Sequence, residues 1–317
     1  MSLVGSLNIG KSALATHQAA IQTIGNNIAN AGNENYNRQV ARLEAVQGKE
    51  FRQGVFLGAG VNLSAVQRQV DEALEGRIRG SIADSEGASQ MTQWLGRVEA
   101  VFNELSDDDL SSQFSQFFNS WSNLANKPQD IGLRQVVIQN GESVAKTFNS
   151  LRGSLESLKS DTAERLEGLT LDADSIASQI AQLNGKISQA EAGSGGANSL
   201  RDQRDALLKD LSTLTDIKAV QRDSGSVDVF VGSEPLVIGT SSKGIYLKQE
   251  VVDNQTVFSV SFKSNKNPGH VSNANNHTES ALGQFVGFAG SPIRLTEEGL
   301  QRIVGDMRRR AHEAIQA

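Results

Sequence analysis

The chain has 317 residues, is 38% hydrophobic and only 5% aromatic, and carries a net charge of −6. Apolar seams spread along an extended shape fit that composition better than a compact enzyme core, and the length suits two or three domains. The acidic balance gives no reason to expect nucleic acid, and the absence of cysteine excludes disulfides, thiolate metal sites and cysteine nucleophiles.

A cysteine-free chain is also compatible with passage through an export channel in the unfolded state. No stretch approaches the ~18–20 apolar residues of a membrane span, so no membrane partner is expected. The N-terminus lacks the basic, apolar and small-residue regions of a cleaved secretory signal. The protein is therefore expected either to stay in the cytoplasm or to leave by a route that reads another kind of signal.

In chain order, the first feature is a heptad stripe. Leu7, Leu14, Ile21 and Ile28 lie seven apart, and Leu3, Gly10, His17 and Ile24 fill the alternate positions. This spacing predicts a helix over 3–28 with one narrow apolar seam, weakened at Gly10 and His17. Such a helix needs a partner to cover its seam. The Asn- and Gly-rich run 30–38 ends it as a turn. Residues 40–70 read as short extended pieces, with Val55, Leu57, Val61 and Leu63 alternating around Gly58 and Gly60 as in a hairpin.

Helical spacing returns with Met91, Leu95, Val98, Phe102 and Leu105. Ser106 followed by Asp107–Asp109 reads as a capped helix start, leading to Leu110, Phe114, Phe117, Trp121 and Leu124. Pro128 breaks that pattern, and a helix of close to sixty residues is expected from Ile131 through Val137, Phe148, Leu166, Ile180 and Ile187. A Gly/Ser turn at 192–198 leads to a shorter helix with Leu200, Leu207, Leu211 and Leu214 on one stripe. Long helix, short turn and shorter helix read as an antiparallel hairpin. Period-2 alternation then appears at Val227–Val231, Ile245–Leu247 and Phe258–Phe262, marking a small all-β module. An Asn-rich loop, 263–280, closes it, and Thr296 and Glu297 open a last helix through Leu300, Ile303 and Met307.

The expected fold is mainly α with a small β domain: a long antiparallel coiled-coil-like helix bundle with an inserted all-β module. The expected domains are 1–80, an N-terminal helix and extended segment; 81–216, a long-helix bundle completed by 293–317; and 217–292, the β domain.

No constellation for catalysis emerges. The patterns GxSxG and HExxH and the phosphate loop are absent. Gly58-Ala59-Gly60 reads as a strand turn. His17 sits in the helical seam, and His270 and His277 read as loop residues, so no metal or cofactor is expected. Asp107–Asp109 complement a helix start. Arg308–Arg310 read as a solvated face or a surface for an acidic partner. Trp94, Phe114, Phe117 and Trp121 fall on helical stripes and are expected in the core. The scattered acids Asp228, Glu234, Glu250 and Asp253 leave open a β module with ligand-binding or enzymatic activity.

The first forty residues resemble the N-terminal signature of bacterial flagellar axial proteins. The matching residues are the seam from Leu7 to Ile28, the run Asn26-Asn27-Ile28-Ala29-Asn30, and Tyr36-Asn37-Arg38-Gln39 after a short turn. Asn35 stands where that family usually has glycine. Later segments resemble the hook-associated protein 1 family: Gly60-Val61 with Val66, Arg68 and Asp71; Phe117-Phe118 with Trp121, Leu124, Pro128, Arg134 and Val137; and Leu200-Arg201-Asp202-Gln203-Arg204-Asp205 with Leu207 and Leu208.

The resemblance implies a structural subunit of the bacterial flagellum, not an enzyme, with a rod or hook subunit as the alternative. It implies unfolded export by the flagellar type III apparatus with a dedicated chaperone, and an extracellular place at the hook–filament junction. The implied partners are other copies of the chain, hook protein on one side and a second junction protein on the other. The residues expected to carry assembly are Leu7, Leu14, Ile21 and Ile28, with Asn26, Asn27, Asn30, Tyr36 and Arg38 of the turn. The family normally continues past this point into a second long helix that pairs with the first. The stripe from Leu3 to Ile28 is therefore expected to be poorly packed in isolation.

Overall fold

The computed structural model describes residues 3–48, 50–56, 58–102, 109–192, 196–252 and 255–263. The expected loop 263–280 beyond Lys263, the last helix, His270, His277, His312 and Arg308–Arg310 lie outside the described residues. The described chain is mainly helical, with small antiparallel sheets, in agreement with the fold class read from the sequence.

Helix α1 spans Leu3–Ala29. Strands β1 (Gln39–Ala45) and β4 (Val61–Arg68) form an antiparallel pair, and the short β2 (Glu50–Arg52) and β3 (Val55–Phe56) pair with each other. The expected pairing across Gly58 and Gly60 is corrected here. Val61 and Leu63 lie opposite Ala45 and Leu43. Alternation marks the two faces of a strand but not its partner. The seven-residue edge of β1 offers a longer ladder than the two residues of β3.

Helix α2 spans Glu72–Phe102 and starts earlier than the apolar spacing indicates. Its start is set by Asp71, whose Oδ1 accepts from the N–H groups of Ala73 and Leu74 at 3.0 and 3.1 Å. Helix α3 spans Leu110–Asn126. Its cap is Asp109, accepting from Ser112 N at 2.6 Å, and not Ser106, which lies outside the described residues. Helix α4 runs Ile131–Ala192, 62 residues, and begins after Asp130 accepts from Gly132 N at 2.8 Å. At 1.5 Å per residue that is roughly 93 Å. Helix α5 spans Asn198–Leu214.

A meander follows: β5 (Lys218–Gln221), β6 (Val227–Val231), β7 (Glu234–Ile238) and β8 (Ser241–Ser242), in that spatial order. Strands β9 (Ile245–Val252) and β10 (Gln255–Phe262) form a separate antiparallel pair.

By internal contacts the chain falls into two compact units. The first takes the described part of Met1–Ile82 with Ala173–Gly244 and Lys263; the second takes Ala83–Asp172 with Ile245–Phe262. The strands of the segment expected as one β module are thus shared between units: β5–β8 in the first, β9–β10 in the second.

The core of the first unit comes from α4, α5 and the meander. Ile180, Ile187, Leu211, Val229, Leu236 and Val237 are fully buried. Helices α4 and α5 run antiparallel, joined by Arg201–Glu191 at 2.7 Å and Arg204–Asn184 at 3.2 Å. The buried face of α5 is rotated from the expected Leu200–Leu214 stripe. It carries Arg204, Leu208, Leu211 and Ser212. An arginine in the seam is invisible to an apolar count.

In the second unit Ala83, Trp94, Leu166 and Leu169 are buried. Helix α3 packs antiparallel on the start of α4: Thr147 donates to Gln113 at 2.7 Å, and a Cβ on Gly141 would lie 3.3 Å from the Phe117 ring. Trp121 is not core. It meets Phe117 edge-on at 6.3 Å and is 51% exposed, because the seam with α4 runs through Phe117 and leaves Trp121 on its flank.

Candidate assembly surface

The faces of α1 are divided by chemistry. The face toward β1 and β4 is small and polar: Thr16 and Thr23 are buried, and Ile9, Ser12, Ala19 and Asn27 are half-buried. Thr16 Oγ1 bonds Ser12 O at 2.7 Å and reaches Val61 O at 3.5 Å. Helix and strand approach closely at Gly60, where φ is +104° and an added Cβ would meet Ser12 Oγ at 2.5 Å. Glycine answers both demands there.

The opposite face carries the heptad stripe. Leu7 is 65% exposed, Leu14 72%, Ile21 68% and Ile28 72%. Leu3, Val4 and Ile24 are exposed beside them. An exposed apolar stripe of this length makes this face a candidate interaction surface, whereas single exposed leucines carry no such meaning. In this structure the stripe is exposed from Leu3 to Ile28. The structure adds that α1 docks by its polar side.

The turn after α1 fixes the helix against β1. Asn27 does this with both ends of its amide. Its Nδ2 donates to Gln39 O at 2.8 Å, while its Oδ1 accepts from Gln39 N and from the Tyr36 hydroxyl, each at 2.9 Å. Burial, with the charge of Asp202 second, holds the Tyr36 hydroxyl above its usual pKa, so it stays a donor. Asn30 Nδ2 returns to Asn26 O at 2.9 Å and closes the helix end. Asn33 Oδ1 accepts from Asn35 N at 3.1 Å, an Asx turn that shapes the loop without the family's usual glycine. Arg38 contributes its carbonyl, which accepts from Gln69 N at 2.8 Å; its side chain is exposed.

Of the residues expected to carry assembly, Leu7, Leu14, Ile21 and Ile28 thus share one open face. Asn26, Asn27, Asn30 and Tyr36 make the joint behind it, and Asn27 and Tyr36 are its centre.

Residues singled out only as markers in the sequence prove to be structural partners. Arg68 Nη1 lies 2.7 Å from both Asp202 Oδ1 and Asp205 Oδ2, and Asn37 Nδ2 donates to the same Asp202 oxygen at 2.8 Å. Arg204 is fully buried on Gly225 O at 2.7 Å and Asn184 Oδ1. Burial lowers its pKa to about 10, aided by Arg201 and Arg68 and opposed by Asp205. Asn184 also bonds Val227 and Gly239, locking α4 to the meander. The run Leu200–Asp205 is therefore a packing code for α5. One sequence shows its charges but not their partners.

Among the described residues no group of His, Asp and Glu could hold a metal ion, and no helix is long and apolar enough to cross a membrane. Of the acids expected as candidates in the β module, Asp253 lies outside the described residues and the other three are engaged in pairs. Asp228 accepts from Arg222 at 2.6 Å and from Gly239 N at 2.8 Å. Glu234 pairs with Lys243, and Glu250 with Lys248.

The family described as the flagellar hook-associated protein FlgK helical domain matches residues 95–312. The chain belongs to the FlgK family of flagellar hook-associated proteins. Flagellar hook-associated protein 1 of Bacillus subtilis (strain 168) is 34% identical over 225 residues, covering 69% of this chain and 44% of the relative. The protein of that name from Salmonella typhimurium is 28% identical over 240 residues, covering 75% of this chain and 43% of the relative. The chain thus spans less than half the length of these relatives. The solved flagellar hook junction protein FlgK from Burkholderia pseudomallei shares the fold, with a TM-score of 0.58 and 23% identity, over 67% of this chain and 38% of that one. The N-terminal signature, residues 26–39, precedes the span matched by the family.

Proposed function

We propose that the chain is a structural subunit of the hook–filament junction of the bacterial flagellum, acting by helix packing and without a substrate. The observation that carries this is the seam of α1: regular at heptad spacing, open along its length, and held outward by a polar docking face. Leu7, Leu14, Ile21 and Ile28 are the contact residues in this reading. Asn27 and Tyr36, with Asn26 and Asn30, are the residues that aim them, and Arg38 is an exposed side chain at the rim. The names of the relatives support the junction over a rod or hook subunit.

In this reading the chain leaves the cell unfolded through the flagellar export apparatus with a dedicated chaperone, and it joins the structure outside. Its partners are other copies of itself, hook protein on one side and the second junction protein on the other.

Expression in a motile strain lacking its own junction protein tests the proposal. The chain is expected in the medium or on hook tips, detected by immunolabelling. Retention in the cytoplasm, with bare hook tips, would overturn it.

A further inference from the structure

Between Leu3 and Asp71 no apolar side chain among those described is buried; the buried residues there are Thr16 and Thr23. The buried apolar side chains of the same unit lie in α4, α5, the meander and the short links beside them. What joins the N-terminal elements to that core is polar. Arg68 of β4 sits between Asp202 and Asp205 of α5, with its side chain 6% exposed. Asn37 donates to Asp202, and Asn198 Nδ2 donates to Val66 O at 2.8 Å. These bonds are short and directional, and they are made by few side chains. With no fully buried apolar side chain on the described arm, the hydrophobic effect holds it less firmly than it holds the core. The resistance comes from the ion pairs and hydrogen bonds, which water replaces once the surfaces part.

We propose that α1 with the β1–β4 segment is an arm held on α5 by a polar latch, Arg68 between Asp202 and Asp205, and that the latch opens without unfolding the core. Because Asn27 joins α1 to β1 within the arm, the arm moves as one body. It carries the open stripe of α1 with it, and this lets the stripe change direction while its own geometry is kept. The latch is a property of the fold and stands apart from the flagellar reading.

Amide hydrogen exchange by mass spectrometry on the full chain tests it. The variant is Arg68→Gln with Asn37→Ala, which changes only arm residues. A released arm is held only by its own contacts, so its β1–β4 ladder should open more often and exchange should rise about tenfold or more across residues 39–45 and 61–68. It should stay within about twofold of the parent across 177–187, 208–212 and 227–237. The milder Asn198→Ala should raise exchange in the same arm segments by less. An unchanged arm overturns the proposal. So does equal loss of protection in arm and core, or a variant that cannot fold, since the core must stand without the latch.

Discussion

Helices α1 and α5 carry leucine-rich stripes of the same helical spacing and meet opposite fates. In α5, Leu208 is 2% exposed and Leu211 is fully buried, against α4 and the meander. In α1, Leu14 is 72% exposed, and the covered side is mostly small or polar, with Thr16 and Thr23 its buried residues. Periodicity therefore identifies a stripe without saying what covers it. The covered stripe holds its unit together, and the open one is the surface proposed to meet another chain.

The sharpest way to break this comparison is to truncate one leucine in each helix. Leu211→Ala should destabilise the chain by about 2–5 kcal/mol, through lost burial and the cavity left behind. Leu14→Ala should stay within about 0.5 kcal/mol. Denaturant unfolding followed by circular dichroism measures both, and similar losses at the two sites would erase the distinction.

Next in size is the joint behind the open stripe. Asn27→Ala removes the bonds to Gln39 and Tyr36 and leaves the Gln39 backbone unpaired, at a cost of about 1–3 kcal/mol. The loss should be local, seen as faster limited proteolysis within residues 28–39 with the α4–α5 core unchanged. Gly60→Ala should cost about 1–3 kcal/mol from the positive φ, with the Ser12 clash in addition. Adding Ser12→Ala should recover the clash but not the backbone strain, read as a partial return of the thermal midpoint.

The smallest effect concerns pH. The hydrogen bond from Arg201 is the largest influence holding the Glu191 carboxylate below its usual pKa; burial opposes it and the Arg201 charge assists. A depressed folded pKa means the stabilisation is present above the ordinary carboxylate range. It is lost as pH falls through the folded value. Glu191→Gln should therefore flatten part of the acid limb of a stability–pH profile and leave its alkaline side unchanged.

Helices α3 and α4 were legible because their starts are marked in the sequence. Asp109 and Asp130 cap helices near the expected positions, and Pro128 separates them. The strand pairing of β4 was not legible, since alternation in Val61 and Leu63 is silent about whether the partner lies before or after. The core arginine, Arg204, was hidden because a charged residue reads as surface until Gly225 and Asn184 are seen around it. For the site, the stripe and the Asn27–Tyr36 motif were visible as residues. Their division into contact and joint needed the geometry, and the tie from Arg68 to Asp202 spans too much sequence to be inferred from one chain.

The open stripe is the centre of the account, and hook-tip labelling of one variant tests it most directly. Leu14→Gln with Ile21→Gln leaves the polar docking face and the Asn27 joint untouched. In a strain lacking its own junction protein, the account predicts that both chains are exported and unfold at the same denaturant midpoint, while only the parent labels hook tips. Equal labelling by the variant would contradict it.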